Sequence, residues 1–249
     1  MATVFVHIRT TDNVGDLNCC PAAYFPFPDV VVADMRGRIP LTGGDTLVFG
    51  GGGLLQQRRR PQIQHLLSLP CASRIAWGIG HLEDGKGPDY SAWPELAAFD
   101  LIGVRDSDAG YPWVPCASCM SRLFDAPRGP EHDVVAYSSS QLPMRVPQGV
   151  PHEDNRGSFA ASVAFLASGR TVVTSSYHGA YWAMLLGRKV LVAKACGKTK
   201  MHGFPVPPAF GYGSIWPVRG AHDYAGLGFL EECRSANRRF YEEVISLAT

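Results

Sequence analysis

The sequence predicts an α/β fold of two parallel-sheet halves facing across a cleft, with a C-terminal helix packing back. Three observations carry this expectation. Short apolar, β-branched runs alternate with helical stretches from one end of the chain to the other. The strand-like runs are almost continuously apolar instead of alternating, which is the pattern of strands covered on both faces by helices. The alternation pauses once, across the proline-bearing stretch 111–130, and then resumes, so that stretch is the expected crossover between halves 1–125 and 126–249. A chain of 249 residues is long enough for one large or two small α/β units with a proper core.

In chain order, strands are expected over 3–8, 30–33 and 46–49. Gly50, Gly51, Gly52 and Gly53 then lead into a helix over 54–69. A strand at 74–79, a short helix at 94–99 and a strand at 101–105 complete the first half. The second half reads strand 133–137, helix 158–168, strand 171–174, helix 177–186 and strand 189–193. The stretch 203–217, rich in Gly, Pro and aromatic residues, is an ordered loop near a site. The last helix, 229–248, is amphipathic, with Phe229, Cys233, Phe240, Val244 and Leu247 on its buried face.

Composition excludes several function classes. With 46% hydrophobic and 18% charged residues, the chain is neither disordered nor a membrane bundle. A net charge of +1 offers no general attraction to nucleic acid or anionic membranes. Arg58, Arg59 and Arg60 read as a solvated helix face. No apolar run reaches the roughly 20 residues that span a bilayer, and Met1 to Val6 read as a strand and not as a signal peptide; a cytoplasmic protein is expected. The seven cysteines are then free thiols. Cys116 and Cys119 have CxxC spacing, but no second ligand pair completes a zinc site, so the pair is structural and no metal is expected.

Candidate chemistry lies at strand ends. The four glycines Gly50–Gly53 permit positive φ and close ligand approach, and a helix start beyond them would favour an anion; a tight turn without ligand is the alternative. Asn13 and Asp16 follow the first strand, at the cleft edge or as turn residues bonding their own backbone. Ser175, Ser176, Tyr177 and His178 open a helix at another strand end, with the serines as N-caps and His178 in the first turn, able to bond an anion or pass a proton. Arg105 and the cations Lys194, Lys198, Lys200 and His202 stand where a small, highly charged anion would bind. No GxSxG, HExxH or acidic metal cluster is present.

Taken in order, Asn13-x-Gly15-Asp16, Gly50–Gly53 with Leu54-Leu55, Gly78-Ile79-Gly80, Arg105-Asp106-Ser107 and the run from Ser175 to Gly187 resemble the polysaccharide pyruvyl transferases. That resemblance implies two Rossmann-like halves in a GT-B-like arrangement. It also implies phosphoenolpyruvate as donor, a sugar or glycan acceptor that can be lipid- or nucleotide-linked, and no other cofactor. His178 would be the acid or phosphate contact, with Ser175, Ser176 and Tyr177 at the helix start. Arg105 with Lys194 or Lys198 would clamp the carboxylate and phosphate. Gly51, Gly52, Gly53, Asn13 and Asp16 would shape the acceptor side, Asp16 as candidate base. The chain departs from the family in carrying Tyr177 where an arginine is usual and in lacking an Asp-Pro pair near the crossover. A nucleotide-sugar glycosyltransferase or an inactive glycan-binding relative are the alternatives.

Overall fold

The computed structural model describes residues 1–82, 88–193, 201, 203–211, 216 and 218–248. The first sheet contains β1 (Thr3–His7), β2 (Val30–Asp34), β3 (Thr46–Leu55), β4 (Ser73–His81) and β5 (Leu101–Val104), in the order β2-β1-β3-β4-β5. Every neighbouring pair in it is parallel. The second contains β6 (His132–Ser138), β7 (His152–Asp154), β8 (Gly169–Thr174), β9 (Lys189–Ala193) and β10 (Ala209–Gly211), in the order β10-β9-β8-β6-β7. It too is parallel, apart from the two-residue β11 (His222–Asp223), which pairs antiparallel with β9.

Numbered from its own first strand, each sheet has the same order, 2-1-3-4-5. This is a doubly wound Rossmann-like topology, in which the direction of winding reverses between the first and third strands and leaves a crevice at their carboxyl ends. The loops after β1 and β3 therefore flank the crevice of the first half, and those after β6 and β8 flank that of the second. The fold places ligand-facing positions there before any side chain is considered.

The strands form where β-branched and apolar residues run together. All five residues of β1 are buried, as are Val48, Ile75, Val172 and Val190 in neighbouring strands. Among the described residues the α-helices are α1 (Val14–Leu17), α2 (Arg60–Ser68), α3 (Phe159–Ser168), α4 (Tyr177–Leu185) and α5 (Phe229–Ala248). Ser158 and Ser176 cap α3 and α4 by accepting from Ala161 N and Gly179 N, the expected role of an N-cap serine. All nine residues of α4 are buried, so it has no polar face. No helix among the described residues is long and apolar enough to cross a membrane.

The structure corrects the sequence reading in three places. The four glycines do not form a loop between a strand and a helix. They lie inside β3, which continues to Leu55, and α2 starts only at Arg60, with Pro61 in its first turn. Gly51 and Gly52 have φ of 76° and 84°, and the register with β4 shifts between Gly52 and Leu55. The glycines thus make a bulge through which the ladder continues. The crossover 111–130 is not loose: Cys116, Ala117, Ser118 and Cys119 are buried beneath α4. There Tyr181 Oη donates to Cys116 O at 2.9 Å and Trp182 Nε1 to Ser118 Oγ at 3.0 Å. In α5, Phe229, Cys233, Phe240 and Val244 are buried, whereas Leu247 in the last turn is exposed.

Helix α5 follows the second half in sequence yet packs on the first. Phe240 lies edge-on to Trp77 of β4 at 5.2 Å, and Tyr241 stacks on Phe25 at 4.9 Å. Between these rings sits Asn237, fully buried. Its Oδ1 accepts from Trp77 Nε1 at 2.9 Å, and its Nδ2 donates to Pro115 O and Cys233 O, both at 3.1 Å. One amide thus ties β4, the crossover and α5 together. Asn237→Leu strands a buried indole N–H and a buried carbonyl, each costing about 1–3 kcal/mol. The expected result is a loss of about 2–4 kcal/mol in denaturant-induced unfolding, with the midpoint lowered and the slope unchanged.

Candidate functional site

The two crevices meet in one cleft, whose space is about 680 Å³ with its open mouth included. From the first half it is lined by Asn13 and Asp16 after β1, by Gly51, Gly52, Gly53 and Gln56 along and after β3, and by Arg105 at the end of β5. From the second half come Ser139 and Gln141 after β6, Asn155 after β7, and Ser176, Tyr177 and His178 at the start of α4. The backbone joins the two sides directly: Val14 N, at the start of α1, donates to Asn155 O at 2.9 Å.

Arg105 is the buried charge of this cleft, with 3% of its surface exposed. Its guanidinium lies over the Tyr177 ring, 4.0 Å from the centroid, so a cation of the first half is covered by an aromatic face of the second. Its Nη2 is 3.5 Å from His81 O, and Asp106 Oδ1 is 3.9 Å from its Nε. Neither that Nε nor that Oδ1 has a hydrogen-bond partner among the described residues. Asp106 instead accepts on Oδ2, from Tyr90 Oη at 2.6 Å and from His81 N at 2.8 Å. Burial works to lower the Arg105 pKa, but Tyr177 and Asp106 outweigh it and hold the guanidinium above its ordinary value. Burial raises the Asp106 carboxyl, against the pull of Arg105 and the Tyr90 hydroxyl. A buried cation with an unmet donor is an unfavourable arrangement unless an anion completes it.

His178 is set just as deeply. Its Nε2 is 3.6 Å from Cys116 Sγ, and its ring packs 5.2 Å from both the Tyr177 and Trp182 rings. The other ring nitrogen lies against Gly15: a Cβ built there would come within 1.9 Å of Nδ1. Gly80 makes the same allowance for Arg105, since a Cβ at that position would lie 2.0 Å from Nε. Both key side chains therefore occupy space that only glycine leaves open. Asn13 caps α1 by accepting from Gly15 N at 3.1 Å, while its Nδ2 donates to Asp16 Oδ2 at 3.0 Å, which fixes the Asp16 carboxylate at the cleft edge. The thiols Cys19 and Cys116 are pushed up by burial. Burial thus disfavours the thiolate, the nucleophilic form, at both.

Of the residues singled out from the sequence, Asn13, Asp16, Gly51, Gly52, Gly53, Arg105, Ser176, Tyr177 and His178 converge on this cleft. Ser175 does not line it. Its hydroxyl donates to Leu142 O at 2.6 Å and accepts from Ser139 N at 2.9 Å, bracing the loop after β6. Lys194, Lys198, Lys200 and His202 lie outside the described residues. Arg58, exposed as read, and half-buried Arg59 line the cleft beside Gln56, while Arg60 pairs with Glu95 at 2.6 Å. Their position next to the glycine bulge was the available signal. Gln141 and Asn155 had none, because loops after β6 and β7 reach the cleft only through the strand order. No three His, Cys, Asp or Glu side chains among the described residues are placed to hold a metal ion.

Gly15→Ala tests the close approach of the two halves. Its added methyl forces the His178 ring to move, at a cost of about 1–3 kcal/mol for overpacking. The expected readout is lowered stability together with a displaced His178 ring signal in NMR; unchanged ring signals would place the imidazole elsewhere.

No protein-family model matches the chain, and no curated protein matches it in sequence. Among solved structures, the chain is similar to a functionally uncharacterized protein from Klebsiella pneumoniae subsp. pneumoniae NTUH-K2044. The two are 15% identical with a TM-score of 0.53 over 85% of this chain and 93% of that one. At this identity the likeness is one of fold: two α/β halves.

Proposed function

We propose that this cleft is the active site of a pyruvyl transferase that forms a pyruvate ketal on a sugar from phosphoenolpyruvate. The observation that carries the reading is the buried, incompletely paired Arg105 guanidinium at the meeting of the two halves, beside His178 and the start of α4. A fixed cation, a helix start and an imidazole together suit a small anion bearing more than one charged group. Phosphoenolpyruvate, with a carboxylate and a phosphate around a three-carbon core, has that character. The segments resembling pyruvyl transferases supply most of the cleft wall.

In the proposed reaction the methylene carbon of phosphoenolpyruvate takes a proton, and positive character develops at the neighbouring carbon. One sugar hydroxyl attacks that carbon. The second hydroxyl then displaces phosphate as the bond to the ester oxygen breaks. Two carbon–oxygen bonds form and one breaks; of the two hydroxyl protons, one balances that taken by the methylene and the other leaves with phosphate. His178 is the proton donor or the main phosphate contact, and Arg105 neutralises the developing anionic leaving group. Ser176 and the first turn of α4 hold the phosphate. Asp16, oriented by Asn13, faces the acceptor and can take a hydroxyl proton. The glycine bulge lets the sugar approach the β3 backbone closely.

Thermal unfolding with phosphoenolpyruvate and, in parallel, with a panel of nucleotide sugars tests the assignment. At about 100 times its dissociation constant a ligand adds roughly 2.7 kcal/mol. That gain is expected for phosphoenolpyruvate and is expected to vanish in Arg105→Met and in His178→Ala. Stabilisation by a nucleotide sugar alone would replace the reading with a glycosyltransferase. Once an acceptor is identified, His178→Ala should lower kcat by about 100-fold or more; near wild-type turnover would remove His178 from the chemistry.

A further inference from the structure

Arg105 and the start of α4 account for one anionic ligand, and the cleft holds more positive charge than that ligand needs. Arg58 and Arg59 stand on its wall just beyond the glycine bulge. Arg60, the next residue, pairs with Glu95, and Arg36 pairs with Asp34 at 3.3 Å. Arg58 and Arg59 make no ion pair among the described residues. Arg58 is held in place by a neutral group, with its Nε donating to Gln56 Oε1 at 2.7 Å. Gln56 is itself buried, and its Nε2 donates to Gly53 O. Arg58 is exposed on the cleft wall, with its Nε held by Gln56. Arg59 is half-buried, and that burial pulls its guanidinium below the ordinary value, with Asp16 and Asp34 pulling the other way. Among the described residues lining the cleft, Arg58, Arg59 and Arg105 carry positive charge and Asp16 is the one carboxylate.

We infer that Arg58 and Arg59 form a second anion subsite, which takes the phosphate or diphosphate of a phosphate-bearing sugar acceptor. Two adjacent guanidinium groups, one pre-oriented and one partly desolvated, match the oxygens of a phosphate or diphosphate in fork-like fashion. The subsite belongs to the first half, alongside Asp16 and the glycine bulge, whereas the α4 start belongs to the second. A sugar held between them would present its hydroxyls to the carbon of the donor while its own phosphate rests on Arg58 and Arg59. The acceptor role rests on the pyruvyl-transfer reading; the subsite itself does not.

The test uses the whole chain and two probes, phosphoenolpyruvate and inorganic pyrophosphate, by calorimetry. Both are expected to bind wild-type protein, and pyrophosphate is expected to bind with undiminished affinity when phosphoenolpyruvate is saturating. In the doubly substituted Arg58→Gln, Arg59→Gln protein, pyrophosphate binding should weaken at least tenfold while phosphoenolpyruvate binding changes less than twofold. Glucose 1-phosphate and UDP-glucose then separate a sugar monophosphate from a nucleotide-linked sugar, and both should show the same arginine dependence. Competition between pyrophosphate and phosphoenolpyruvate, equal loss of both probes in the variant, or no pyrophosphate binding would overturn the inference. Arginine-dependent pyrophosphate binding in a protein that does not bind phosphoenolpyruvate would uphold the subsite and overturn the pyruvyl reading instead.

Discussion

The site depends on how the protein accommodates one buried guanidinium. Arg105 projects from the end of β5 into space cleared by Gly80 and Gly53, and the second half covers it with the ring of Tyr177. Its carboxylate neighbour, Asp106, directs one oxygen to Tyr90 and the His81 backbone and is too distant to complete the guanidinium. A charge buried this way costs free energy. The rest of the cleft is consistent with that cost being carried for a ligand: its walls are polar, its acid is single, and its strand ends converge at two topological switch points. The cation–π contact also means that the two halves meet through the site and not only around it.

Rigidity comes from a different set of contacts. Asn237 joins β4, the crossover and α5, and the aromatic group of Phe25, Trp77, Phe240 and Tyr241 locks the last helix of the chain onto the first sheet. The second half is therefore clasped from both sides, by α5 behind and by the Val14–Asn155 backbone bond at the cleft. His178 depends on this spacing, because its imidazole fits between Cys116 and Gly15, which belong to other parts of the chain. An imidazole packed this closely against a glycine leaves little room for relative motion of the halves.

Charge is distributed along the cleft in two groups. Arg105 lies deep, against α4 of the second half, and Arg58 and Arg59 lie further out on the wall of the first half, with Asp16 as the acid among them. A deep cation favours a small ligand that can be largely desolvated, and cations nearer the mouth favour a larger one that remains partly in water. The glycine bulge of β3 lines the same cleft.

The sequence by itself determined the alternation of strands and helices, the halves' parallel sheets and the returning terminal helix, because apolar periodicity and helix caps such as Ser158 and Ser176 act over a few residues. It also marked part of the cleft wall, since Asn13, Asp16, Arg105 and His178 stand at strand ends, where loops converge in any doubly wound sheet. Only the tertiary structure decided the rest. The glycines became a bulge inside β3 and not a helix start, because pairing with β4 lets the ladder continue past positive φ. Ser175 became a brace, because the β6 loop reaches it first. Arg58 and Arg59 became wall residues, because α2 begins late, at Arg60. Hydrogen bonds between distant strands and the meeting of two sheets set these outcomes, and neither is written in the spacing of nearby residues.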